Sequence, residues 1–206
     1  MKKRAIPFLI ILIIAILVAT FLFDIEIIKF IVSLRNVILD YIFISVAFAS
    51  NAILILFFLT TLFLWKEHKR RWIFPLWVSC FLSLVLSFLI KIIVKRPRPF
   101  EEGIPALRIV FIFLMDNLNT WNFSFPSFQA MLAFSALPVL DKEFKKFKYI
   151  WLIFACFIAF SRVYFGVHYL SDVIAGALIG YLTGFLMVKI EDKYKIGTRI
   201  IKKMKL

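Results

Sequence analysis

Ser161-Arg162-Val163-Tyr164-Phe165-Gly166-Val167-His168-Tyr169-Leu170-Ser171-Asp172 lies between two long apolar runs, yet it carries an arginine, a histidine and an aspartate. Charged groups at a membrane boundary are expensive, so their presence calls for a functional reason. A helix starting near Val167 would put His168 and Asp172 at i and i+4 on one face. Asp172 can then accept the proton of one imidazole nitrogen and leave the other unprotonated, facing a substrate. Gly166 allows the turn that brings Arg162 back towards that nitrogen. A capped helix start with a satisfied polar pair is the plainer reading of the same residues.

Outward from this stretch the chain is strongly apolar: 63% of its 206 residues are hydrophobic, which makes it an integral membrane protein. Apolar runs at 6–23, 41–65, 72–94, 149–165 and 167–188, with a shorter one at 125–140, predict an all-α polytopic protein with six transmembrane helices. The whole chain, 1–206, reads as one domain, with its chemistry-bearing core at about 72–188. Residues 104–115 are apolar but too short to cross and include Arg108, so an interfacial or re-entrant segment is expected there. The run after the basic N-terminus is long, and Val18-Ala19-Thr20 is a poor cleavage site, so it reads as a first span rather than a signal peptide. Cys80 and Cys156 fall within spans and read as packing residues.

The net charge of +14 would point to nucleic acid in a soluble protein. Here no basic, aromatic-interleaved domain stands outside the membrane, so nucleic acid is not expected as a partner. With the N-terminus placed in the cytoplasm, the six-span order puts 18 of the 26 lysines and arginines on the cytoplasmic side. The positive-inside rule thus predicts a multi-pass cell-membrane protein with both termini cytoplasmic. The basic tail can also touch anionic lipid heads.

Asp24, Glu26, Lys29, Arg35 and Asp40 read as a solvated external loop, and Asn51 as a hydrogen-bonding residue between helices. His68 lies in the basic stretch 66–71, expected on the cytoplasmic side and so away from any external site. Lys91-Ile92-Ile93-Val94-Lys95-Arg96-Pro97-Arg98-Pro99 ends the third span. Lys91 and Arg98 are two helical turns apart, and the prolines stiffen the exit. Residues 101–122 form the longest connection and are expected to cover the site. Ser124-Phe125-Pro126-Ser127-Phe128-Gln129 opens the fourth span as an N-capped start, whose free N–H groups suit an anion. Under this topology all four stretches meet outside, so the site is expected to be extracytoplasmic. Gly176, Gly180 and Gly184 predict close helix packing.

Three cations (Lys91, Arg98, Arg162), a helix start and an oriented imidazole make a site for a phosphate group. His168 is the candidate nucleophile, forming a phosphohistidine that water hydrolyses. No metal or other cofactor is called for. The chain has two histidines and lacks a cysteine pair or carboxylate cluster with ligand spacing.

Lys91 to Pro99 follows the pattern K-x6-R-P and Ser161 to Asp172 the pattern S-R-x5-H-x3-D. Together they resemble the first and third signatures of the type 2 phosphatidate phosphatase superfamily, whose helical core is shared with vanadium haloperoxidases. The resemblance implies a helical bundle of that kind in which Lys91, Arg98 and Arg162 bind phosphate, His168 attacks and Asp172 orients it. It also implies that Ser127 donates to a phosphate oxygen. The family's second signature is P-S-G-H, whereas this chain has Pro126-Ser127-Phe128-Gln129. The histidine at that place in the family protonates the leaving group, and Gln129 cannot.

The reading that follows is a metal-independent lipid phosphatase acting on a lipid phosphate in the outer leaflet. Loss of a general acid costs ~10²–10⁴ in rate, but only where the leaving group needs a proton. A polyprenyl diphosphate expels a phosphate monoester whose second pKa is roughly 6, and such a group leaves unprotonated. Phosphatidate or phosphatidylglycerophosphate would expel an alkoxide. Gln129, a possible leaving-group contact, therefore favours a polyprenyl diphosphate. A lipid phosphotransferase, and a catalytically degenerate lipid-binding protein, are the alternatives. A purely structural membrane subunit would leave the clustered cations without a purpose.

Overall fold

The computed structural model describes residues 5–107 and 123–204, and every regular element in them is helical. A chain immersed in lipid must satisfy its backbone internally, and helices do so. In chain order these are α1 (Ala5–Leu22), α2 (Asp24–Ser33), α3 (Val37–Ala49), α4 (Ala52–Leu64) and α5 (Ile73–Val94). They are followed by α6 (Phe128–Ser135), α7 (Leu137–Glu143), α8 (Phe147–Tyr164), α9 (Leu170–Tyr194) and α10 (Ile196–Met204). Short 3-10 turns at Glu67–Trp72 and Pro99–Glu102 flank α5. Arg108 and the rest of the segment expected to cover the site, 108–122, lie outside the described residues, as do Lys2, Lys3 and Arg4.

The six-helix architecture read from hydropathy is not what the chain forms. Among the described residues three helical stretches are long and apolar enough to cross a membrane: Glu67–Glu102, Phe147–Tyr164 and Leu170–Tyr194. A fourth is reached only if α2 and α3, bent by 116°, count as one broken span. Helix breakers inside apolar runs account for the difference. The run 41–65 divides at Asn51, which is not an interhelical residue but the cap of α4, its Oδ1 accepting from Ile53 N at 2.9 Å. Each half then has 13 residues, about 20 Å of helix against the ~30 Å hydrocarbon core. The run 125–140 divides at Ala136 into helices of 8 and 7 residues, with Pro138 in the first turn of the second, where its missing N–H is tolerated.

α9 runs antiparallel to α5 and α8, so the bundle has two distinct ends. At one, the start of α5 meets the end of α7, Trp72 Nε1 donating to Glu143 Oε1 at 2.8 Å, and Lys142 pairs with Asp192 of α9. At the other, the exit of α5 reaches the start of α9, where Arg96 bonds Asp172 at 2.8 Å. α9 lies directly on α6 and α7. A Cβ placed on Gly176, Gly180 or Gly184 would come within 2.6, 2.1 or 2.0 Å of the carbonyl oxygens of Ser127, Met131 or Ser135. Only glycine permits that approach, and it brings the start of α6 against Asp172.

The mixed-charge stretch after α1 is not a solvated loop. Its isoleucines recur at helical spacing, and Ile28 and Ile31 are buried beside Val163, Tyr164 and Val173. Arg35 donates to the carbonyls of Tyr164 (2.8 Å) and Pro105 (2.7 Å), and Asp40 accepts from the Tyr164 hydroxyl at 2.6 Å. α2 and α3 thus brace the end of α8 and the turn that follows it. Outward-facing side chains such as Phe81, Ile93 and Leu182 are exposed, as a lipid-facing surface requires.

Candidate active site

The site is built on the turn between α8 and α9. Gly166 has φ +73, a left-handed conformation that a side chain would strain, and a Cβ there would meet Arg35 Nη2 and Pro105 O at 3.0 Å. This turn folds Val167 and His168 back so that both their N–H groups donate to the carbonyl of Arg162, at 3.2 and 3.3 Å. α9 begins at Leu170, three residues later than Val167, because Asp172 closes its first turn by accepting from Tyr169 N at 2.9 Å. His168 therefore stands just ahead of the helix.

The buried imidazole sits between opposite charges. Its Nδ1 faces Asp172 Oδ2 at 3.6 Å, longer than a hydrogen bond, and has no other partner. Its Nε2 lies 3.4 Å from Arg98 Nη1. Burial, with the positive charges of Arg98 and Lys91, pulls the ring's titration from 6.5 down to about 3 against the opposing pull of Asp172. That direction favours the neutral ring, in which one nitrogen keeps its lone pair.

Of the other expected residues, Arg98 and Lys91 bear on the ring, and Arg162, Ser127 and Gln129 lie on the neighbouring elements. Arg98 holds the carbonyl of Val167 through Nη1 at 2.9 Å. Lys91, 4% exposed, donates to the carbonyls of Phe123 and Ser124. Arg162, 2% exposed, reaches Ser50 Oγ at the break between α3 and α4 (2.8 Å), and its Nε has no partner. Ser127 caps α6 and donates its N–H to the carbonyl of Asp172 at 3.0 Å, while its buried hydroxyl has no partner. Gln129 is half-buried in the first turn of α6. His68 lies at the opposite end, 3.7 Å from Glu143. Among the described residues, no group of three or more His, Cys, Asp or Glu side chains is placed to hold a metal ion.

Sequence reasoning missed the wiring behind Asp172. Arg96 Nη1 donates to Asp172 Oδ1 at 2.8 Å and to Ser171 Oγ at 2.6 Å, while Nη2 donates to Asp24 Oδ2 at 2.8 Å. Ser124 Oγ donates to Asp172 Oδ2. Asp24 and Asp172 are 1% and 0% exposed. The signal for Asp24 was available: a carboxylate next to an apolar run at a membrane boundary, the same expense that singled out His168.

Chemically, the cluster is a buried imidazole facing a cation with a carboxylate behind it, and the unpartnered Ser127 hydroxyl belongs to the residue whose N–H bonds the Asp172 carbonyl. Residues 72–195, which include all of it except Asp24 and Ser50, match the profile of the PAP2 superfamily. An undecaprenyl-diphosphatase from Sulfolobus acidocaldarius is 32% identical over 134 residues, 65% of this chain and 62% of that protein. The match thus spans less than two thirds of that relative's length. Among solved structures, LpxE of Aquifex aeolicus superposes with a TM-score of 0.63 at 28% identity, over 81% of this chain and 94% of that one. A PAP2-type phosphatidylglycerolphosphate phosphatase from Bacillus subtilis gives a TM-score of 0.66 over 95% of this chain and 99% of that one. Its identity is 24%, so that likeness speaks for the fold alone.

Proposed function

The chain belongs to the PAP2 superfamily, and from that premise we propose that it is a membrane lipid phosphatase working through His168. The observation that carries this reading is the imidazole itself, buried with Nε2 towards Arg98 and Nδ1 towards Asp172. Nε2 attacks phosphorus, and the bond from phosphorus to the lipid oxygen breaks, its electron pair leaving with that oxygen. Asp172 stabilises the positive charge that grows on the ring by facing the Nδ1 proton. Water then attacks the phosphohistidine, the P–N bond breaks, its electron pair returns to Nε2, and the water's proton goes to the released phosphate.

Lys91, Arg98 and Arg162 supply positive charge for the phosphoryl oxygens, the main requirement of such a transfer. The Arg162 Nε–H and the Ser127 hydroxyl are unpartnered and have donor capacity for a phosphate, while Lys91 would exchange the carbonyls of Phe123 and Ser124 for it. We infer a diphosphate lipid of the polyprenyl class as substrate. Gln129 cannot protonate an alkoxide, while a departing lipid monophosphate needs no proton. The name of the archaeal relative, an undecaprenyl-diphosphatase, agrees with this choice.

Charge supports an orientation. The stretches 66–71, 142–148 and 189–203 gather at the end of the bundle away from His168, and excess lysine and arginine marks the cytoplasmic side. The site then faces outwards. The C-terminal tail, which lies with the basic end, is then cytoplasmic.

The test is phosphate release by purified protein in a chelator, from undecaprenyl diphosphate beside phosphatidate and phosphatidylglycerophosphate. Preference for the diphosphate is expected. Preference for a monoester would overturn the substrate assignment. Retention of these lipids with no release from any would favour a binding protein, the reading that Phe128 and Gln129 support.

A further inference from the structure

We propose that Asp24 is a positioning residue for the nucleophile: by sharing Arg96 with Asp172, it sets how strongly the Asp172 carboxylate holds the Nδ1 proton of His168. The proposal rests on the phosphatase reading for its kinetic consequence, though not for its geometry.

A guanidinium presents two donor edges in a fixed plane, so one arginine can bridge two carboxylates. Arg96 does so here, with Nη2 on Asp24 Oδ2 and Nη1 on Asp172 Oδ1, both at 2.8 Å. Its plane is held between the rings of Phe21 and Tyr169, whose centroids lie 4.2 and 4.0 Å from Cζ. Asp24 is tied to the same helix start a second time. Its Oδ1 accepts from Ser171 N at 3.0 Å and its Oδ2 from Ser171 Oγ. Asp24 and Asp172 are buried and Arg96 nearly so, where charges act strongly on one another.

The charge balance follows from these contacts. Asp172 must leave Oδ2 directed to the imidazole while Oδ1 is occupied by a cation. Arg96 alone would neutralise Asp172 and weaken its hold on the ring. Asp24 takes half of the fork and returns net negative charge to the cluster. The other charges bearing on the imidazole, Arg98 and Lys91, are both positive. Asp172, supported by Asp24, therefore holds the proton on Nδ1, and Arg98, which can only donate, favours the lone pair on Nε2. Asp24 lies outside the matched family region, 72–195, so this element is supplied by the N-terminal part of the chain.

The chain has two histidines, so His68→Gln leaves one imidazole to observe. In that background, ¹⁵N spectra of labelled histidine at neutral pH read which ring nitrogen carries the proton, without any turnover. The expected result is an Nδ1–H ring in the parent and a clear rise in the Nε2–H form in Asp24→Asn, reversed in Asp24→Glu. On undecaprenyl diphosphate, Asp24→Asn should lower kcat about 10²-fold with KM little changed, the scale of a small misplacement of a reacting group. A ring that is Nε2–H in the parent, or an unchanged tautomer in a folded Asp24→Asn protein, would overturn the proposal. Absence of phosphate release in the parent would defeat the phosphatase reading alone, and the tautomer would still decide the role of Asp24.

Discussion

Among the described residues the basic end of the bundle buries one carboxylate and the site end two, and the ends are wired in opposite ways. At the basic end Glu191, 4% exposed, accepts from Gly197 N (2.7 Å), Thr198 N (3.2 Å) and Thr198 Oγ1 (3.1 Å). Its donors are neutral and lie on the next turn of chain, where α10 folds back after α9. At the site end Asp172 is held by Arg96 and Ser124, which are 76 and 48 residues away. The cations differ in the same sense. Arg71 at the basic end is exposed beside Glu143, whereas Lys91 and Arg162 are buried with carbonyls or a hydroxyl as partners. A carboxylate satisfied locally by neutral donors holds a turn together. One held by distant groups beside buried cations and unpartnered donors is arranged for a ligand that brings its own negative charge.

The difference can be broken most decisively at the nucleophile. His168→Ala should lower phosphate release from undecaprenyl diphosphate by at least about 10⁴-fold and abolish acid-labile phosphoenzyme, as loss of a nucleophile does elsewhere. Full activity in that variant would sink the mechanism. Asp172→Asn should cost about 10²–10⁴-fold in kcat, because the ring remains but loses the charge that fixes its proton. Steady-state rates normalised to folded protein measure this, and a change in KM alone would contradict it.

Gln129 sharpens the comparison within the site end itself. Gln129→His should raise the rate on a phosphate monoester by up to about 10²-fold and leave the diphosphate rate nearly unchanged. Phe128→Gly combined with Gln129→His is the fairer form, since Phe128 stands where the P-S-G-H signature has glycine. Equal gains on both substrates would show that Gln129 does not set substrate choice.

The smallest effect belongs to the basic end. Glu191→Gln should leave kcat and KM within about twofold and lower stability by roughly 1–3 kcal/mol, the cost of disturbing a buried acceptor with its donors still in place. Thermal melts alongside rates separate the two. A catalytic defect there without loss of stability would mean that the two ends are coupled.

Much of the site was legible because its signals are short-range. Lys91 and Arg98 sit two turns apart around the end of one helix, and His168 and Asp172 are four residues apart, so local spacing already relates them. Gly166 was readable as a turn and has the positive φ that a tight reversal needs. The span count was not readable by hydropathy, because that measure sums apolar residues and passes over a cap such as Asn51 or a helix start such as Pro138. Asp24 and Arg35 were misread for a related reason. Charged residues separated by a few positions resemble a loop until the isoleucines between them are seen to be buried.

Sequence alone determined the solvent this protein lives in and the chemistry it carries. Hydropathy is a sum over residues, and the ability of an imidazole, a guanidinium or a glutamine to move a proton belongs to the side chain wherever it lies. Only the tertiary structure decided which charges face one another. A guanidinium forms its bonds through space with whatever the fold brings within about 3 Å. Nothing along the chain says that Arg96 will reach Asp24 on one side and Asp172 on the other, 72 and 76 residues distant.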